Sequence, residues 1–210
     1  MHEPISLKSA ERKAFRITLA DGLWEVFIGG IFLQFAIAPL LSETMGDFWS
    51  SAVFLPFWGI LYLTIWMIRK YIITPRVGMV NLGKPRKKKL RIFSTVILVV
   101  NILIFLLGLV VALTFADISG MLIAGILGIF ILFGFSAAAY ILDYPRLFFY
   151  GLLFLIAPLV GEWLYTNHGF SHHGYPVVFG FASGLMILIG LITFFNFLKN
   201  TPKIEFPEGV

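Results

Sequence analysis

Six long apolar runs divide this chain, and all sixteen of its Lys and Arg residues fall in segments that the runs place on one side of a barrier. Lys8, Arg12, Lys13 and Arg16 precede the first run, and Arg69, Lys70, Arg76, Lys84, Arg86, Lys87, Lys88, Lys89 and Arg91 separate the second from the third. Arg146 lies between the fourth and fifth, while Lys199 and Lys203 follow the sixth. The alternate connections hold Glu43, Asp47, Asp117, Glu162, His168, His172 and His173 and no Lys or Arg. A wrong number of runs would scatter the cations over both sides. The pattern therefore supports six crossings and, by the positive-inside bias, cytoplasmic termini in a plasma membrane.

Hydrophobic residues make up 59% of the chain and charged residues 13%. Mean hydropathy is +0.93, so a water-soluble fold would lack the polar surface to cover its own core. The runs lie near 23–41, 51–68, 92–115, 119–141, 147–165 and 177–198. Most approach the length of about 20 residues that a helix needs to cross roughly 30 Å of hydrocarbon. They lack the alternation of a barrel strand, and an open sheet would leave backbone groups unpaired in lipid. The expected fold is an all-α integral membrane bundle. It comprises an interfacial or cytoplasmic segment 1–22, a six-helix bundle over 23–198 and a cytoplasmic tail over 199–210. The first run reads as an uncleaved signal anchor, because the charged residues before it are followed by no short apolar region with a small-residue cleavage site.

The chain also resembles itself. Ile37-Ala38-Pro39-Leu40-Leu41-Ser42-Glu43 is matched by Ile156-Ala157-Pro158-Leu159-Val160-Gly161-Glu162, and the third run ends Val111-Ala112-Leu113-Thr114-Phe115-Ala116-Asp117. Thr74-Pro75-Arg76, Tyr144-Pro145-Arg146 and Thr201-Pro202-Lys203 follow the even runs. Proline drives the residue before it out of helical geometry, and a cation there favours the helix C-terminus. The expectation is three tandem helical hairpins, parallel pseudo-repeats over 23–68, 92–141 and 147–198, with the basic loop 69–91 between the first two. Gly120, Ala124 and Gly128, and Gly180 with Gly184, supply four-residue steps of small side chains suited to close helix packing in lipid.

Charge and motifs narrow the function classes without settling one. Lys84, Arg86, Lys87, Lys88, Lys89 and Arg91 would suit nucleic acid in a soluble protein. Abutting a membrane span, they suit anionic lipid headgroups instead, and no nucleic-acid partner is expected. The chain has no cysteine, which excludes thiol chemistry. No nucleophile elbow, phosphate loop, zinc-protease or dinucleotide motif is present.

Four sets of residues are candidates for chemistry. Asp21 and Glu25 stand one helical turn apart at the cytoplasmic start of the first span, where a buried carboxylate must pair, protonate or meet water. Arg16, Arg76 and Arg146 are the expected partners. A proton- or cation-binding site and a pair of first-turn acids locked to an arginine both fit. Gln34 and Asn101 are the polar groups well inside the spans, as transport contacts or interhelical hydrogen bonds. Asp143 and Arg146 flank a cytoplasmic turn and suit either a salt bridge or chemistry on a lipid headgroup. Glu162, His168, His172 and His173 crowd one outer loop, with side chains that suit zinc or copper, although Gly169, Gly174 and Pro176 oppose the helix that would align His168 with His172.

The function expected is transport or permeation, with no enzyme activity and no cofactor beyond that metal. A membrane scaffold using the basic loop, a homo-oligomer or other membrane partner, and a metal- or lipid-modifying membrane enzyme remain as alternatives.

Overall fold

The computed structural model describes residues 21–77, the positions Lys88, Arg91, Ile92, Thr95, Val99, Ile102 and Leu106, and residues 119–202. The interfacial segment before Asp21, most of the basic loop 84–91, most of the expected third span with Asn101, and the tail from Lys203 lie outside the described residues. Those described between 88 and 106 are helical and exposed, and 88, 92, 95, 99, 102 and 106 follow the three- and four-residue steps of one helix face.

The described chain is helical, with no strand among the described residues. In order it forms α1 (Leu23–Phe32), α2 (Gln34–Ala52), α3 (Phe54–Ile68), a π-helical turn (Arg69–Ile73), α4 (Thr74–Val77), α5 (Gly120–Ile141), α6 (Arg146–His168), a 3-10 turn (Ser171–Gly174) and α7 (Tyr175–Asn200). Four runs are long and apolar enough to cross a membrane: Leu23–Ala52, Gly120–Ile141, Arg146–His168 and Ser171–Asn200. Leu55, Ile60, Ile129, Phe133, Phe181, Ile192 and Phe195 are all exposed. Helices that are apolar on the outside as well as the inside have lipid as their solvent.

Local chemistry explains the ends of these helices. Gly22 takes a left-handed conformation before α1, and the Asp21 carboxylate accepts the Leu23 N–H at 3.0 Å, satisfying one of the donors that a helix start leaves open. Gly46 breaks α2 with φ 76° and ψ 163°, a region open essentially to glycine alone. Ser119 caps α5 by accepting the Leu122 N–H at its hydroxyl, 3.3 Å away. Gly169 ends α6 at φ 66°, and its N–H bonds to the Tyr165 carbonyl at 3.2 Å, the single closure of a left-handed cap.

Two compact units result. The first takes the described parts of Met1–Gln34, Leu41–Leu82 and Ser183–Val210. In it, α1 and α3 run antiparallel: Gly30 lies on Leu61, Phe27 is 6.2 Å from Tyr62 between ring centroids, and Leu23 joins Ile65 in a core with Ile73 and Phe194. On another side of α1, Gly22 and Gly29 receive Gly190 and Ile187 of the last helix. Glycines allow this approach where lipid supplies no hydrophobic drive between helices, so attraction comes from close packing.

The second unit takes the described parts of Phe35–Leu40 and Gly83–Ala182. Its α5 and α6 form an antiparallel pair, with Gly128 against the Leu155 carbonyl and Gly151 against Phe135. Phe154 is wholly buried between Phe135, 5.8 Å away, and Phe179, 6.1 Å away. This pair joins the second and third expected hairpins. The matched acids of the proposed repeat stand in unlike surroundings: Glu43 is exposed and Glu162 is buried.

Candidate functional site

Asp21 and Glu25 are both wholly buried. Arg69 reaches Asp21 from the π turn beyond α3, its Nη2 donating to Oδ2 at 2.6 Å. The antiparallel register of α1 and α3 brings them together, since one stands just before its helix and the other just after its own. Arg69 also lies over the Trp24 ring, 5.0 Å from the centroid, a cation–π contact that keeps the guanidinium near the helix start. The arginine is partly open to its surroundings, with 28% of its side chain exposed against 1% for Asp21.

Burial pushes the Asp21 carboxyl above the ordinary carboxylate range. The charge of Arg69, the Leu23 N–H and the Arg69 hydrogen bond pull it down, and the like charge of Glu25 pushes it up. Desolvation outweighs the ion pair because a carboxylate taken out of water loses more than one partly solvated guanidinium returns. On the Glu25 side, its Cβ lies against Gly190, where a methyl group added to the glycine would meet it at 2.9 Å.

The partner of Asp21 is thus Arg69, an arginine outside the expected set of Arg16, Arg76 and Arg146, and Arg16 lies outside the described residues. Arg76 instead donates from Nη1 to the Ile72 carbonyl at 2.9 Å, and Arg146 is exposed at the start of α6 in the other unit. A helical hairpin already implied that residues flanking its two free ends meet. Hydropathy alone, with an uncertain boundary at each end, does not choose among Arg69, Lys70 and Arg76.

Gln34 begins α2 and is half-buried. Asp143 adopts a left-handed φ of 54° in the turn between α5 and α6, a conformation that Asp tolerates better than most residues. Ser183 is wholly buried in the first unit, and no partner meets its hydroxyl.

The second unit gathers part of the His-rich loop. His173 Nδ1 is 2.7 Å from Oε2 of Glu162, whose residue is 4% exposed. Glu162 packs on Gly120, where even an alanine Cβ would fall on its carboxylate, so the negative charge sits at the N-terminal end of α5, the favourable end of a helix dipole. The Tyr165 ring lies 4.3 Å from the His173 ring. His168 turns instead to Trp163, 4.9 Å between centroids. Among the described residues, no three His, Asp or Glu side chains come together as a group that would hold a metal ion.

His172, His173 and Gly174 are consecutive left-handed residues, with φ of 52°, 54° and 61°. Gly174 also lies on Gly161, where an added Cβ would meet the Gly161 carbonyl oxygen at 2.7 Å. Gly174→Ala is therefore expected to lower stability by about 2–3 kcal/mol, combining left-handed strain with a backbone collision. Thermal unfolding in detergent checks this, and a loss no larger than that of Gly169→Ala, left-handed but in open space, would show that the Gly161 contact contributes nothing.

No protein-family model matches the sequence, and no curated protein or solved structure matches it significantly.

Proposed function

We propose that this chain is a transport- or permeation-associated membrane protein in which Asp21 and Glu25, with Arg69, form a proton-binding site at the cytoplasmic boundary of a plasma membrane. The reading is carried by one observation: two wholly buried carboxylates, one helical turn apart, of which Asp21 is held by a guanidinium yet raised by burial above the ordinary carboxylate range. Such a group exchanges a proton nearer to neutral pH than a solvated aspartate does, and groups whose titration is shifted by burial beside a specific charge partner cluster at functional sites. The gathering of cationic segments on one side supports the cytoplasmic assignment.

The site binds a proton on Asp21 when the pH falls, and Arg69 then turns towards its partly open side. Proteoliposomes with an interior pH dye and an imposed gradient test this. The native chain is expected to carry proton flux, and Asp21→Asn and Glu25→Gln to abolish it with the helices intact by circular dichroism. Flux unchanged in both variants removes the pair from the mechanism.

A further inference from the structure

The helical run that follows Gly46 carries two exposed aromatic groups, one near each end. Phe48 and Trp49 are 73% and 64% exposed, with rings 5.3 Å apart in an edge-to-face pair. The start of this run is held by Ser50, which is buried and donates to the Asp47 carbonyl at 3.0 Å. At the far end, Lys70 places its ammonium 5.0 Å from the Trp66 ring centroid and 5.4 Å from that of Tyr71, and both rings are exposed.

Between these groups the exposed side chains are chiefly apolar, Leu55, Phe57, Ile60 and Leu63 among them, with Ser51, Tyr62 and Thr64 the polar ones. Trp49 and Trp66 are separated by a helical rise of about 26 Å at 1.5 Å per residue, and Trp49 and Tyr71 by about 33 Å; a hydrocarbon layer of roughly 30 Å falls between the two. Indole and phenol rings have an apolar body and a polar edge, so they settle at the level of the headgroups. A lysine beside such rings extends its ammonium to lipid phosphate, to which its charge is complementary.

We infer that Phe48 with Trp49, and Trp66 with Lys70 and Tyr71, are two lipid-headgroup anchors that suspend α3 across the bilayer, although α3 alone is 15 residues long. The occupant of this surface is phospholipid. The lower anchor follows directly from the position of Lys70 next to Arg69, and it brings the Asp21–Arg69 pair to headgroup depth. The inference does not depend on proton binding, because it concerns depth and sidedness alone.

The absence of cysteine makes a direct test available. Asp47→Cys and Lys70→Cys, each the single thiol of its variant, are treated with a membrane-impermeant maleimide in sealed, uniformly oriented vesicles of phosphatidylcholine and phosphatidylglycerol. The two positions are expected to label from opposite faces; labelling from the same face overturns the inference. Variants that keep only Trp49 or only Trp66, the other tryptophans being replaced by phenylalanine, are then placed in lipids brominated either near the headgroup or near the chain end. Both tryptophans are expected to be quenched more strongly by the shallow bromine, whereas Ile60→Trp in a tryptophan-free background is quenched more strongly by the deep one. Deep quenching of Trp49 and Trp66 would also overturn it.

Discussion

Gly22→Ala should be among the most damaging single-methyl substitutions in the described chain, costing upwards of about 3 kcal/mol. Two penalties coincide at this position. The residue sits at φ 79°, where a side chain adds about 1–3 kcal/mol of strain. Its new Cβ would also fall on the Gly190 carbonyl oxygen and reach the Phe194 backbone nitrogen at 2.9 Å. Backbone cannot swing aside as a side chain can, so α1 would have to move off the last helix, taking Asp21 and Glu25 with it. Gly169→Ala isolates the first penalty, because Gly169 is left-handed at φ 66° with nothing within 4 Å of an added Cβ. Unfolding in detergent should therefore show Gly22→Ala clearly less stable than Gly169→Ala. Equal losses would mean that the Gly22–Gly190 approach is not a packing contact.

The second large effect is an asymmetry within the ion pair. Arg69→Ala leaves Asp21 buried without the guanidinium, an arrangement that costs about 3–5 kcal/mol where the remaining charge cannot escape. Asp21 can escape by taking a proton, so the expected loss at neutral pH is about 3 kcal/mol and shrinks as the pH is lowered. Asp21→Asn should change stability by no more than about 1 kcal/mol, since it removes the group that resists desolvation and leaves Arg69 partly solvated. The double variant should recover most of what Arg69→Ala loses. A double variant as unstable as Arg69→Ala would show that the arginine acts through Trp24 and its other packing rather than through Asp21.

The sign of the pH dependence follows from the same balance. The folded pKa of Asp21 lies above its ordinary value of 3.8, so the folded state holds this proton more tightly than the unfolded chain does. Its contribution to stability is fully present below 3.8 and is lost as the pH rises through the folded value. Removing Arg69 takes away the strongest opposing influence, and the loss then extends to higher pH.

Much of the helix pattern was legible without coordinates. The runs near 119–141, 147–165 and 177–198 correspond to Gly120–Ile141, Arg146–His168 and Tyr175–Asn200. Their limits coincide with local signals, a Ser cap at 119, Pro145 before α6 and Gly169 after it, that act over a few residues whatever the rest of the chain does. The helix of the first run outlasts its apolar stretch near 23–41. Ser42, Glu43 and Thr44 end the hydropathy but not the helix, which continues to the break at Gly46. Loss of apolar character and loss of helical hydrogen bonding are separate events at a membrane surface, where water accepts polar side chains on a continuing helix.

What the amino-acid order determined alone is the all-helical class, lipid as its surroundings, and the presence of Asp21 and Glu25 on one turn. These depend on composition and on neighbours within a few residues. The tertiary structure decided which distant groups meet. Arg69 rather than another arginine reaches Asp21, His173 rather than His168 meets Glu162, and Gly22 finds Gly190. Each choice rests on the rotation and axial offset of one helix against another. A shift of one residue along the chain turns a side chain by about 100°, so packing contacts summed along whole helices, and no local preference, select the partners.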